Sequence, residues 1–316
     1  MRRIDRIDGA LAVALGFSLA WSAHACAEPA PAPAPVDASS PEASSHSVDA
    51  PAPEAAEPVL LGRYTTTFPC EGKHAPRAQN IARVVELLAC GHWQLLQGDI
   101  FYFNEQVGRR TEDRGFVPAP AIFMGEVADD IGGGTCQVSS TLHAAAIVSG
   151  LDIEERSPHS RPSKYIPKGL DATVSCPEGK GECKPELALK SPYPWAVTCK
   201  AEIGEAEAPA DKALTISFYG AAAAPRVDIR WKGAKPDDSW TKKFHKTGKI
   251  RTATYKKRVQ EGAAGLAGVL EVTRIWQDGR IDLRRFTSNY RPVDEVWEVG
   301  LDWDMTQNPW DPPAPP

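Results

Sequence analysis

Residues 130–150, DIGGGTCQVSSTLHAAAIVSG, constrain this chain more than any other stretch. Three consecutive glycines run straight into an apolar, alanine-rich segment whose composition suits a helix. Thr135 stands where an N-cap is expected, which puts Cys136 in the first turn. Backbone N–H groups there lack intrahelical acceptors, and the helix dipole presents its positive end, so an anion is favoured. A thiolate is such an anion, and this placement lowers a cysteine pKa and sharpens its reactivity. Gly132, Gly133 and Gly134 let backbone approach a ligand with no side chain in between. The stretch reads as a ligand-facing loop that ends on a nucleophile.

A cysteine hydrolase or transpeptidase needs a thiolate, a histidine to hold and shuttle its proton, and a polar group to orient the histidine. Cys136 supplies the first. His143 shares its helix but lies roughly 10 Å along the axis, too far for a direct hydrogen bond. His159 lies in a loop after the next predicted strand, from which it can fold back over the helix start. Asp171, or with less weight Asn104, is placed to orient it. Gln137 and the backbone of Gly133 and Gly134 are the expected oxyanion donors. Asn104 and Glu105, just after a predicted strand, either brace the following loop by side chain-to-backbone hydrogen bonds or join Gln137, Ser139, Ser140 and the three glycines as expected binding residues. The competing reading makes the same residues a non-catalytic pocket for glycan or peptide in an envelope adaptor, or leaves Cys136 as packing. No Cys/His spacing resembles a zinc cluster, and neither a metal nor another cofactor is expected.

The N-terminus reads as a secretory leader over residues 1–25. Arg2, Arg3 and Arg6 precede an apolar run too short to span a bilayer, and Ala23-His24-Ala25 fits small-x-small cleavage. Cys26 follows at once and raises lipid anchoring, although Ala23 stands where lipoprotein leaders carry leucine. Residues 26–58, rich in Ala and Pro, suit an extended spacer. Export makes disulfides durable. The expected pairs are Cys70–Cys90 and one bridge among Cys176, Cys183 and Cys199, with Cys136 free. A net charge of −5 argues against general nucleic-acid binding. Residues 226–258 are locally basic, with twelve Lys/Arg against three Asp/Glu. That excess fits either anionic envelope polymers or merely solvated strand faces. Oligomeric state is not legible.

Beyond the leader, residues 76–90 predict a helix with Ile81, Val84, Val85 and Leu88 as its buried stripe. Strands are predicted at 64–68, at 93–96 and 100–103 around a Gln97-Gly98 turn, and at 151–156. Further strands follow at 171–174, 195–201 and 213–219. Helices and strands mix without a regular βαβ repeat, so the expected class is α+β. The segments FNEQVGRRTEDRGF, IGGGTCQVSSTLHAAAIVSGLDIEERSPHS and YIPKGLDATV closely resemble the VanW domain of bacterial envelope proteins. The resemblance covers roughly residues 64–220. It implies a cell-wall setting, with peptidoglycan or its precursors as partner, and no particular reaction. His143 departs from it, standing where relatives more often carry an aromatic residue. Gly262, Gly265, Gly268, Gly279 and Gly300 resemble the five-glycine module, a small β domain linked to wall-polymer binding. The expected organisation is a VanW-type domain at 59–220, a β-rich domain at 221–301 and a Pro/Trp-rich tail at 302–316.

Overall fold

The computed structural model describes residues 57–306, apart from 124–125, 180 and 209–210. The leader, Cys26, most of the spacer and Trp310 of the tail therefore lie outside the described residues. The chain runs β1 (Val59–Pro69), α1 (Ala75–Leu88), β2 (Gln94–Leu95), β3 (Ile100–Tyr102), α2 (Phe103–Val107), β4 (Pro118–Phe123), β5 (Glu126–Ile131) and α3 (Thr135–Val148). It continues through β6 (Asp152–Glu155), β7 (Ala188–Lys190), β8 (Val197–Glu205), β9 (Asp211–Gly220), β10 (Arg226–Gly233) and β11 (Lys242–Lys246). The last strands are β12 (Lys256–Gln260), β13 (Leu266–Ile275), β14 (Ile281–Tyr290) and β15 (Glu295–Val299). The class is α+β, with strands outweighing helices.

Helix α3 is the hub. Twelve of its fourteen residues are buried, polar and apolar alike, so the helix is packed on nearly every side. It lies on the antiparallel sheet β1-β9-β8-β2, where Val138, Leu142 and Ala145 share a core with Leu61, Ile216 and Phe218. Most of its polar side chains are paired inside that core, for example Thr141 with Thr66 at 2.8 Å, while His143 Nε2 has no hydrogen-bond partner among the described residues. Helix α1 closes another side. Ile81, Val84 and Leu88 are fully buried and Val85 partly so, matching the i, i+3, i+4, i+7 stripe. Ala89, at φ 49°, ends the helix.

Several local expectations need correcting. β2 and β3 do not form a hairpin about Gln97-Gly98. β2 pairs with β8, and β3 pairs with β7 in the sheet β3-β7-β6, because burying Leu95 and Phe101 takes them to different partners. Residues 171–174 are not a strand, contributing a single bridge from Thr173 to Ser157. Cys90 pairs with Cys199 and not with Cys70, tying the end of α1 to β8. The second bridge, Cys176–Cys183, closes the expected local loop. The Cys90–Cys199 link spans 109 residues, and closing so long a loop restricts the unfolded chain strongly. Replacing both cysteines by serine is expected to cost about 2–5 kcal/mol, measured as a lower denaturation midpoint.

After β9 every regular element among the described residues is a strand. β10-β13-β14 is antiparallel, and β11-β15-β12 combines a parallel and an antiparallel pair. The first of these sheets packs on α3. Leu270 and Val272 from β13 form an apolar cluster with Ala144, Ile147, Ile166 and Leu170. Gly268 lies beneath the Trp231 indole, which a β-carbon would strike. No helix among the described residues is long and apolar enough to cross a membrane.

Candidate functional site

The site is built where the β4–β5 hairpin meets α3. Gly132 and Gly134 take φ of 87° and 111°, a region that side chains rarely adopt. A β-carbon on Gly134 would also come 3.0 Å from the Arg77 carbonyl oxygen. The N-cap is Gly134, one residue earlier than the sequence suggests, because the Thr135 hydroxyl turns back to donate to the Gly132 carbonyl at 2.7 Å. Cys136 is therefore the second residue of α3, and its N–H is among those a helix start leaves without an intrahelical acceptor. Its side chain is partly exposed at the floor of a cleft of about 420 Å³. The cleft walls include Arg77, Arg110, His159, Tyr165 and the Cys176–Pro177 segment.

Three distant segments bring the expected nucleophile, base and orienting group together. The His159 imidazole and the Cys136 sulfur face the same cleft and interact electrostatically. On its other side, His159 Nδ1 lies 2.8 Å from Asp171 Oδ2, which also accepts the His159 backbone N–H at 2.7 Å. With Nδ1 held by Asp171, Nε2 is the nitrogen left to exchange a proton with the sulfur. Asp171 is buried, and its second oxygen accepts from Arg156 at 2.9 Å and from the Tyr290 hydroxyl at 2.6 Å.

Electrostatics favour a thiolate–imidazolium pair. Burial alone pushes the Cys136 thiol up, but the His159 imidazole, with Arg110 beyond, outweighs it and holds the thiol below its ordinary value. Burial pulls His159 down, yet its bond to Asp171 and its interaction with Cys136 prevail and raise it to about 9. Asp171 is held well below the usual carboxylate range because His159 and Arg156 overcome its burial. Alkylation of Cys136 by iodoacetamide is therefore expected to stay fast below the ordinary thiol pKa of about 8.5. A plateau should extend up to the His159 ionisation near 9. A single ionisation at the ordinary thiol value would show that the pair does not form.

Arg110 and Arg77 add two cations that sequence reasoning left without a role. Arg110 is buried, donating to Asn104 Oδ1 at 2.7 Å and to the Gly108 carbonyl at 2.6 Å. Burial lowers its pKa to about 10, so it stays charged at neutral pH. Arg77 reaches Gln137 Oε1 at 2.7 Å. The signals were faint: one arginine among several in a polar loop, and one on a helix face.

Other expected residues brace this arrangement. The Gln137 amide donates to Thr66 Oγ1 and the Thr67 carbonyl, and its backbone N–H to Gly134. Its donors are thus engaged within the fold, which corrects its expected oxyanion role. Asn104 donates to the carbonyls of Ser175, Cys183 and Pro185, holding the disulfide loop against Arg110. It does not reach toward His159. Ser139 and Ser140 bond to Ala172 and to the Cys136 carbonyl, fastening α3 beside Asp171. Glu105 is exposed on α2 and is not among the cleft residues. His143 lies two turns beyond Cys136 on the same face of α3, with Nδ1 2.8 Å from the Leu170 carbonyl, and burial drives its pKa down to about 4. No cluster of metal-ligand residues occurs among the described residues.

A separate groove between β6 and β14 is lined by Asp152, Glu154, Lys190 and Arg284. These charges pair with one another, Asp152 with Arg284 and Glu154 with Lys190, and the groove contains no nucleophilic thiol.

Comparison with known proteins places the same residues in a family context. Residues 76–209 match the family model described as "VanW like protein". A 115-residue stretch is 42% identical to the protein named "Uncharacterized protein YoaR" from Bacillus subtilis (strain 168). That alignment takes in 36% of this chain and 37% of the relative, so the chain matches little more than a third of the relative's length.

Proposed function

From a chain that carries a VanW-family domain, we propose an exported cell-envelope protein that performs cysteine-dependent acyl transfer on the peptide stems of peptidoglycan or its precursors. The observation that carries this reading is the Cys136–His159–Asp171 arrangement in an open cleft at the start of a buried helix. The two disulfides fit an oxidising compartment.

In this mechanism the Cys136 thiolate attacks a peptide carbonyl carbon and the oxyanion forms. The Cys136 backbone N–H stabilises that oxygen, with the charges of Arg110 and Arg77 nearby. The C–N bond then breaks, the departing amine takes the proton from His159, and a thioester remains on Cys136. An incoming amine, or water, attacks the thioester. His159 accepts its proton, and the thiolate leaves. Asp171 keeps the imidazole in the productive tautomer throughout.

Incubation with purified muropeptides tests the reading, with mass spectrometry of the products. New amide linkages or trimmed stems that require Cys136 support it. Binding of muropeptides without any turnover favours a non-enzymatic envelope adaptor instead.

A further inference from the structure

Asp171 is not held by its own segment alone. Tyr290, at the end of β14, is 1% exposed. Its hydroxyl donates to Asp171 Oδ1 at 2.6 Å and accepts the Gly169 N–H at 2.8 Å. Arg156 completes the clamp. It donates to the Asp171 backbone carbonyl at 2.7 Å and to Oδ1 at 2.9 Å, while its other guanidinium nitrogen reaches the Thr287 carbonyl and Ser288 Oγ on β14. The Arg291 backbone N–H donates to the Ser160 carbonyl at 2.7 Å, pinning the residue after His159 to the end of the same strand. The contacts of Tyr290, Thr287, Ser288 and Arg291 join the segment bearing Arg156, His159 and Asp171 to a strand more than a hundred residues downstream.

We propose that β14 is a working part of the acyl-transfer site, with Tyr290 as the positioning residue that sets the Asp171 carboxylate against His159, and Arg156 as its brace. This rests on the acyl-transfer reading above. The chemistry is specific. A carboxylate with one oxygen fixed by a phenol and a guanidinium can present only the other to an imidazole. Removing the phenol lets the carboxylate rotate toward Arg156, and the imidazolium loses support. The C-terminal strands, on this account, are required for reactivity and are more than a tether.

The test is the pH profile of Cys136 alkylation by iodoacetamide in the full chain, compared among wild type, Tyr290→Phe and Arg156→Lys. Ile281→Thr is the control, at a 65% exposed position on the same strand. In Tyr290→Phe the upper ionisation is expected to move down from its wild-type position by about 1 pH unit and the thiol ionisation to move up, narrowing the plateau. Arg156→Lys should shift both in the same directions, and Ile281→Thr should superpose on wild type. Folding is checked by thermal melting. If Tyr290→Phe unfolds, Ser288→Ala, which removes one Arg156 contact, is read in its place. A folded Tyr290→Phe whose profile matches wild type overturns the proposal. A wild type with no plateau at all instead counts against the acyl-transfer reading.

Discussion

Replacing Cys136 by alanine is expected to abolish turnover of muropeptides, with kcat falling by at least ~10³-fold, while the protein keeps its fold. Cys136 is partly exposed, and the hydrogen bond its thiol makes is a 3.4 Å contact to the Val174 carbonyl. Little packing is lost, so the melting temperature should move by no more than a few degrees. Serine at the same position tests the point more finely. It preserves size and a proton donor, but its hydroxyl does not ionise near neutrality, so the ion pair with His159 disappears. Turnover should remain lost with muropeptide binding intact, as measured by calorimetry beside the product assay.

Asp171→Asn should damage both stability and chemistry. Four donors converge on this buried carboxylate: the His159 backbone N–H, His159 Nδ1, Arg156 and Tyr290. An amide cannot accept them all, and the Arg156 guanidinium, only 3% exposed in its side chain, would lose its counter-charge. Breaking one side of a buried pair costs about 3–5 kcal/mol, readable in a denaturant titration. The amide also favours the wrong imidazole tautomer, so kcat should fall by roughly 10⁴-fold. The wild-type carboxylate has a related signature. Its folded pKa is depressed, so its stabilisation is present above the unfolded value of about 3.9 and drains away as pH falls below it. Asp171→Asn should flatten that acid limb.

The candidate nucleophile was legible because one short window contains the glycine turn, the helix and the cysteine. Helix α1 was legible for a similar reason, since its stripe repeats within fourteen residues. His159 and Asp171 lie only 12 residues apart, and a loop returning over a helix start is a short-range inference. What failed was long-range pairing. Cys90 finding Cys199, and β2 leaving β3 for β8, depend on which apolar face each segment buries, and no local signal encodes that. Gln137 misled because a polar residue beside a nucleophile looks catalytic, whereas here its amide satisfies β1 backbone inside the core. Tyr290 was out of reach altogether. It lies 119 residues from Asp171, in a strand whose pattern announces only a sheet.

The measurement that bears most directly on the central claim is intact-mass spectrometry of the wild-type protein mixed briefly with muropeptides and quenched in acid, followed by peptide mapping. The acyl-transfer account predicts a hydroxylamine-sensitive adduct with the mass of a stem-peptide acyl group, located on Cys136 and missing from Cys136→Ala. Stem-peptide turnover with no adduct on Cys136, and undiminished in Cys136→Ala, would contradict it.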